Sequence, residues 1–304
     1  MGHKTKKQHY IPQFLLRNFC SEEKVWVFDK STGRSYPSST VNTGHENHFY
    51  SAKNIDDDHV DFENLTQLMD GYGSESISHI IQKRLLPKTD EHLVKLAFFT
   101  ALQMERGPST RSMLEFVQKK IIEKWGADIA YEGDSRTLGQ YGSEDLKYGS
   151  ILALQNVPEF ARILQQKALF LLEAPVGSSF ICSDHPVVLH NEIDHSPRGS
   201  LGIGKLGIEI YFPISPALAL QFCCPQLAQS MVLVPELRSR LELQSQGKPI
   251  PLATENVTFM NHLQVTQSDR FLFARNQTDF ELAEEMIRDH PELKKPAAHR
   301  LISN

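Results

Sequence analysis

Between Glu91 and Arg106, Leu93, Val94, Leu96, Ala97, Phe98, Phe99, Ala101, Leu102 and Met104 are all apolar. Apolar residues on every face predict a helix enclosed at the centre of the fold. Gly107-Pro108 stops it, and Pro108 opens a further helix with a Met113, Leu114, Val117, Ile121 stripe. Upstream, Asp56-Asp57-Asp58 reads as an acidic helix start, followed by Phe62, Leu65, Leu68 and Met69 at helical spacing. Gly71 and Gly73 are expected to weaken or break that helix before Ile77, Ile80 and Ile81 resume the stripe.

After residue 168 the period changes. Ala168 to Leu172 reads as a buried strand and Phe180-Ile181-Cys182 as a second. Ile208 to Phe212, a Pro213–Pro216 turn and Ala217 to Cys223 read as strand–turn–strand. Near the start, Lys24 to Asp29, the turn Lys30–Gly33 and Arg34 to Ser38 predict a hairpin. Val41 to Tyr50 reads as loop. Its His45 and His48 lack the further ligands a zinc site needs, so they read as solvated loop histidines. Thr254 is expected to cap a helix through Leu263, Phe271 to Ala274 reads as a strand, and Thr278-x-x-Glu281 as a capping box. These elements predict one α+β domain over residues 1–290, with a mostly antiparallel sheet against a helical layer. The parts are an N-terminal motif and hairpin (8–50), a helical region (55–168), a sheet-forming half (168–275) and a loose tail (291–304).

The 304-residue chain is long enough for a sizeable core. Its formal charge of −5 argues against a generally basic nucleic-acid-binding surface, though not against a local groove. No apolar run reaches the roughly 20 residues that span a bilayer, so no membrane partner is expected. Cys20, Cys182, Cys223 and Cys224 have neither metal nor disulfide spacing, which suits a reducing, cytoplasmic setting. Gly202 to Gly207 spells G-x-G-x-x-G, but a loop precedes it and a strand follows. That context fails for a dinucleotide fold, and a mobile flap is the better reading.

The opening string Gln8-His9-Tyr10-Ile11-Pro12-Gln13-Phe14-Leu15-Leu16-Arg17-Asn18-Phe19 places aromatic and charged groups where chains are usually polar and frayed. It resembles the bacterial family known as domain of unknown function 4238, whose members open with His-Tyr-x-Pro-x-Phe-x-Leu-Arg-x-Phe. The resemblance continues through Gln103, Arg106, Pro108 and Arg111, the strand-end Asp184, Asn261 in a helix and Arg270 before the last strand. The family usually carries two glutamates where this chain has Glu63 and Asp70. It brings no settled activity with it.

The polar residues bordering apolar elements are His9, Tyr10, Arg17, Glu63, Asp70, Gln103, Arg106, Arg111, Asp184, Asn261 and Arg270. Their convergence in one pocket is the expectation on which function turns. The first reading is a hydrolase for a phosphodiester or nucleotide. Asp184, Glu63 and Asp70 would hold a divalent ion (Mg or Mn). Asp184, Glu63 and His9 would do the chemistry, with His9 moving a proton. Tyr10, Arg17, Gln103, Arg106, Arg111, Asn261 and Arg270 would bind the anionic substrate, a small molecule or nucleic acid. Such chemistry would suit a bacterial nuclease effector, for instance in phage defence. The alternative is a non-enzymatic binding or sensor module for an anionic, nucleotide-like ligand. The third reading is a structural network tying helices to sheet.

Overall fold

The computed structural model describes residues 7–53, 59–130, 135–195 and 199–299. The acidic run 56–58, read as a helix start, lies outside them. The helices are α1 (Gln13–Asn18), α2 (Glu63–Lys83), α3 (Asp90–Glu105), α4 (Pro108–Trp125), α5 (Ser143–Leu152), α6 (Val157–Gln165), α7 (Pro225–Ser230), α8 (Arg238–Ser245), α9 (Thr254–Gln267) and α10 (Glu281–Asp289). The strands are β1 (Lys7–His9), β2 (Lys24–Asp29), β3 (Arg34–Ser39), β4 (His45–Asn47), β5 (Ser51–Lys53), β6 (His59–Asp61), β7 (Ala168–Glu173), β8 (Cys182–Ser183), β9 (Val188–His190), β10 (Glu209–Pro213), β11 (Leu218–Cys223), β12 (Pro249–Pro251) and β13 (Phe271–Ala274). The fold is α+β. No described helix is long and apolar enough to cross a membrane.

Nine of these strands form two larger sheets, in the orders β12-β7-β11-β10-β9 and β3-β2-β13-β8, and β1–β4 and β5–β6 form two-stranded ones. Apart from the parallel β12–β7 pair, the pairings are antiparallel. The expected hairpins form: β2 pairs with β3 from Lys24↔Ser39 to Asp29↔Arg34, and β10 with β11 from Glu209↔Cys223 to Pro213↔Ala219. The second strand expected after β7 is shorter than its pattern suggests. Only Cys182–Ser183 is strand, and it pairs with β13 rather than near β7. Phe180 and Ile181 are fully buried, but their N–H groups go to the Pro216 carbonyl and the Asn261 side chain. Within the loop-like 41–50 stretch, β4 pairs with β1, bringing His45 opposite His9.

Helix α3 is the enclosed element its pattern predicts, with Leu96, Phe99, Ala101 and Leu102 at most 1 % exposed. Against it lies α2, unbroken through both glycines. The reason is a contact between the two helices: a Cβ on Gly73 would overlap the Phe99 ring, so glycine lets them approach closely. That contact sets the buried face of α2 as Thr66, Met69, Gly73, Ile77 and Ile80 and leaves Leu65 and Leu68 outside. On α4 the buried residue is Phe116, while Met113 and Val117 are exposed.

Thr254 starts α9 as its first residue. At α10 the expected box is displaced. Asn276 and Asp279 make the reciprocal cap, and a 3-10 turn Gln277–Phe280 precedes the helix. The tail, read as loose, forms 3-10 turns at Pro291–Lys294 and Ala297–His299, burying Leu293 and Ala298. The Gly202–Gly207 stretch is turn, tied down at Leu206, whose carbonyl accepts from Asn191 Nδ2 and lies 2.9 Å from His195 Nε2.

Candidate functional site

One turn before the end of α3 the chain places Leu102, buried in the core, and at its end Arg106, which is 2 % exposed. A guanidinium this deep must have all its donors engaged. Nε donates to Tyr50 Oη at 2.8 Å, Nη2 to the His9 carbonyl at 2.6 Å and to Asp70 Oδ2 at 3.2 Å, and Nη1 to Asp70 Oδ1. Tyr50 Oη also donates to the His9 carbonyl at 2.9 Å. Burial opposes the charge on Arg106, but Asp70 and Tyr50 hold it protonated. Three segments are thereby clamped: the first strand, the turn before β5 and the middle of α2.

The clamp forms the floor of a cavity of about 630 Å³. One wall is the α2 face carrying Glu63, Thr66, Gln67 and Asp70, one turn apart along the helix. The opposite wall comes from the opening string and the residue before it: Lys7, Gln8, His9, Pro12, Gln13, Phe14 and Arg17. Gln8 bridges the two, its Nε2 donating to Glu63 Oε2 at 3.0 Å while its Oε1 accepts the Tyr50 N–H at 2.6 Å. Gln67 Nε2 donates to Glu63 Oε1 at 3.1 Å. His9 Nε2 lies 3.3 Å from the Thr40 carbonyl. Burial first, then the neighbouring His45 and Arg106, keep the His9 imidazole below its ordinary pKa and neutral at pH 7. At the rim, Lys7 reaches Asn42 Oδ1 at 2.7 Å. Arg17 is exposed, and among the described residues no ion pair or hydrogen bond engages its guanidinium.

Folding therefore gathers His9, Arg17, Glu63, Asp70 and Arg106, and leaves the other expected residues elsewhere. Asp184 is 1 % exposed and spends both carboxylate oxygens on the chain: Oδ1 accepts the Asp269 N–H at 2.9 Å, and Oδ2 those of Arg270 and Phe271 at 2.7 and 2.8 Å. Burial and the adjacent Asp269 push it above the ordinary carboxylate range despite those bonds. Tyr10 is a core residue packed on Phe49, with ring centroids 5.5 Å apart, and burial raises its phenol pKa. Arg111 pairs with Glu46 at 3.0 Å and lies 5.0 Å from the Phe49 ring. Arg270 grips both oxygens of Asp29 at 3.0 and 2.7 Å. Asn261 holds the Ile181 N–H and the Ser179 carbonyl at 3.0 and 2.8 Å. Gln103 is wholly buried, its amide without a hydrogen-bond partner. None of these six lines the cavity; Asp184, Arg111, Arg270 and Asn261 tie elements together, and Tyr10 and Gln103 sit in the core.

The expected metal set is thus split. Asp70 is committed to Arg106, Glu63 to two glutamines and Asp184 to backbone. Among the described residues no group of three or more His, Cys, Asp or Glu side chains could hold a metal ion. The donor set does not fit Mg or Mn. Sequence reasoning missed Gln8 and Tyr50, the two residues that join the walls to the floor. Gln8 heads the opening string, a signal that could have singled it out; Tyr50, inside an apparent loop, gave none.

No curated protein and no solved structure matches the chain. A family model does match, across the opening string, the clamp and both larger sheets, up to residue 278. The chain belongs to the family described as "Protein of unknown function (DUF4238)", whose sequence model matches residues 7–278.

Proposed function

We propose that this protein is a binding or sensor module that takes a small anionic, nucleotide-like ligand in the cavity between α2 and the opening string. The observation that carries the reading is Arg17, an exposed guanidinium at the cavity rim with its donors unspent. A planar guanidinium suits phosphate or carboxylate oxygens, which it can bind bidentately. Lys7 adds a second cation at the mouth, and the Gln13 and Gln67 amides offer neutral hydrogen bonds. Pro12, Phe14 and Val41 supply an apolar surface for a flat body. The volume falls in the range of small-molecule sites.

A second reading has one observation behind it. His9, neutral at pH 7 and lining the same cavity, has the protonation state of a general base. On that reading the module would hydrolyse the phosphoester it binds, with no step routed through a metal. Nuclease chemistry and a defence role belong to this second proposal.

Thermal shift with adenosine monophosphate, adenosine diphosphate and inorganic pyrophosphate separates the readings. Binding at 100 times Kd stabilises by about 2.7 kcal/mol and raises Tm. The expected result is a rise with at least one probe that Arg17→Ala abolishes without lowering the unliganded Tm. Release of phosphate, lost in His9→Gln, would favour the second reading. If none of the three probes shifts the wild type, the anionic-ligand proposal fails.

A further inference from the structure

The turn that ends α3 and begins α4 faces a second cavity, of about 330 Å³, on its other side. Arg106 points from this turn into the first cavity, whereas Glu105, Ser109 and Thr110 line the second. Ser109 Oγ lies 3.0 Å from His185 Nδ1, a hydrogen bond joining a hydroxyl to an imidazole across 76 residues of chain. His185 also borders the cavity, and its main chain is anchored: the backbone N–H donates to Ser183 Oγ at 3.2 Å, and the backbone carbonyl accepts from that hydroxyl at 2.8 Å. Burial keeps the ring below its ordinary pKa, with the Asp269 charge opposing, so it is neutral at pH 7.

Three further features belong to the same place. Ser109 and Thr110 occupy the first turn of α4, where backbone N–H groups lack helical acceptors, and no side chain caps this end. Gly107 keeps the approach beside the hydroxyl close, since a Cβ there would lie 3.1 Å from the Asp184 carbonyl and 3.3 Å from Ser109 Oγ. Met104, Met113, Leu114, Leu201 and Ala298 make most of the remaining wall apolar, with Thr266 and Gln267 its polar part.

We propose that Ser109 and His185 form a nucleophile–base pair that cleaves a carboxylic ester whose apolar acyl group lies in this second cavity. Ser109 Oγ adds to the ester carbonyl carbon as its proton passes to His185 Nδ1. The developing oxyanion meets the free N–H groups of the first α4 turn. Collapse breaks the bond to the alkoxy oxygen, which leaves as the alcohol with the proton from His185. Water, deprotonated by the same imidazole, then hydrolyses the acyl-serine to the free acid and restores the hydroxyl. Such a step needs no cofactor. The site is independent of the anionic-ligand cavity, so either proposal can fail alone.

The test uses the full-length protein and an alkyl fluorophosphonate, which phosphonylates an activated serine with loss of fluoride. Mass spectrometry of the digested wild type is expected to place the label on Ser109. Ser109→Ala should lose it. His185→Gln should slow labelling at least tenfold at an unchanged Tm, and Leu114→Trp should slow a long-chain probe more than a short-chain one by filling the apolar wall. Hydrolysis of p-nitrophenyl butyrate should follow the same order. A folded wild type that leaves Ser109 unlabelled overturns the proposal, as does labelling equally fast in His185→Gln. The wild-type labelling site decides the matter even where a variant folds poorly.

Discussion

Removing the guanidinium beneath the first cavity tests whether the clamp is real. In Arg106→Ala, Asp70 loses its partner and Tyr50 Oη one of its two hydrogen bonds, while the His9 carbonyl keeps only the bond from Tyr50. Breaking a buried ion pair by deleting one partner costs about 3–5 kcal/mol. The lower part of that range applies, because the Asp70 side chain is 25 % exposed and water can take over part of its solvation. The expected loss is about 3 kcal/mol, or roughly 6 °C in Tm for a chain of this size. Arg106→Lys restores the charge but not the fork, and should recover less than half of it. Urea unfolding of the two single variants Arg106→Ala and Asp70→Asn, and of the double, completes the cycle. The coupling energy should be about 2 kcal/mol in favour of the pair. A coupling within about 0.5 kcal/mol of zero would refute the claim that this bond holds the two walls to one floor.

Three further outcomes follow from other buried groups. Burial disfavours the Asp29 charge, but the Arg270 and Ser31 hydrogen bonds outweigh it and bring its pKa down to about 2. The stability this confers is full above about pH 4 and is lost as pH falls toward 2; Arg270→Ala should flatten that limb of a urea-midpoint profile by about 1 kcal/mol, the guanidinium being half exposed. Burial pushes Glu105 up to about 7, so the folded chain keeps a proton the unfolded chain releases, and stability falls as pH rises from about 4.5 to 7. Glu105→Gln removes that penalty, at most about 3 kcal/mol, and should raise Tm at pH 8 while changing it little at pH 4. Asp184→Asn should lower Tm by about 6 °C at pH 7, since an amide nitrogen would then face main-chain N–H donors; an unchanged Tm there would show that the three backbone bonds contribute little.

The α+β architecture was legible because burial leaves a period in the chain. The apolar surround of α3 and the short apolar runs between residues 168 and 223 could be read directly. What escaped was anything decided by a partner remote in sequence. Asp184 ends a strand before a proline, the position of many catalytic carboxylates, yet its oxygens meet N–H groups from residues 269–271. Gly73 reads as a helix breaker until the Phe99 ring is set against it. The site itself was half visible. The Glu63, Gln67, Asp70 face follows from helical spacing alone. That this face would meet His9 and Arg17 follows only from Gln8 and Arg106 reaching across 55 and 97 residues.

The pairing of β2 with β13 has a consequence for synthesis. Arg270 meets Asp29 across 241 residues, so one edge of the earliest long strand waits for nearly the whole chain to leave the ribosome. At about 5–20 residues per second that wait lasts roughly 12–50 s. Throughout it Val25, Val27 and Phe28 stand beside an open hydrogen-bonding edge, a template for the wrong neighbour. Yield in the cell should therefore respond to translation speed and chaperone supply, even in variants whose finished fold is as stable as the parent.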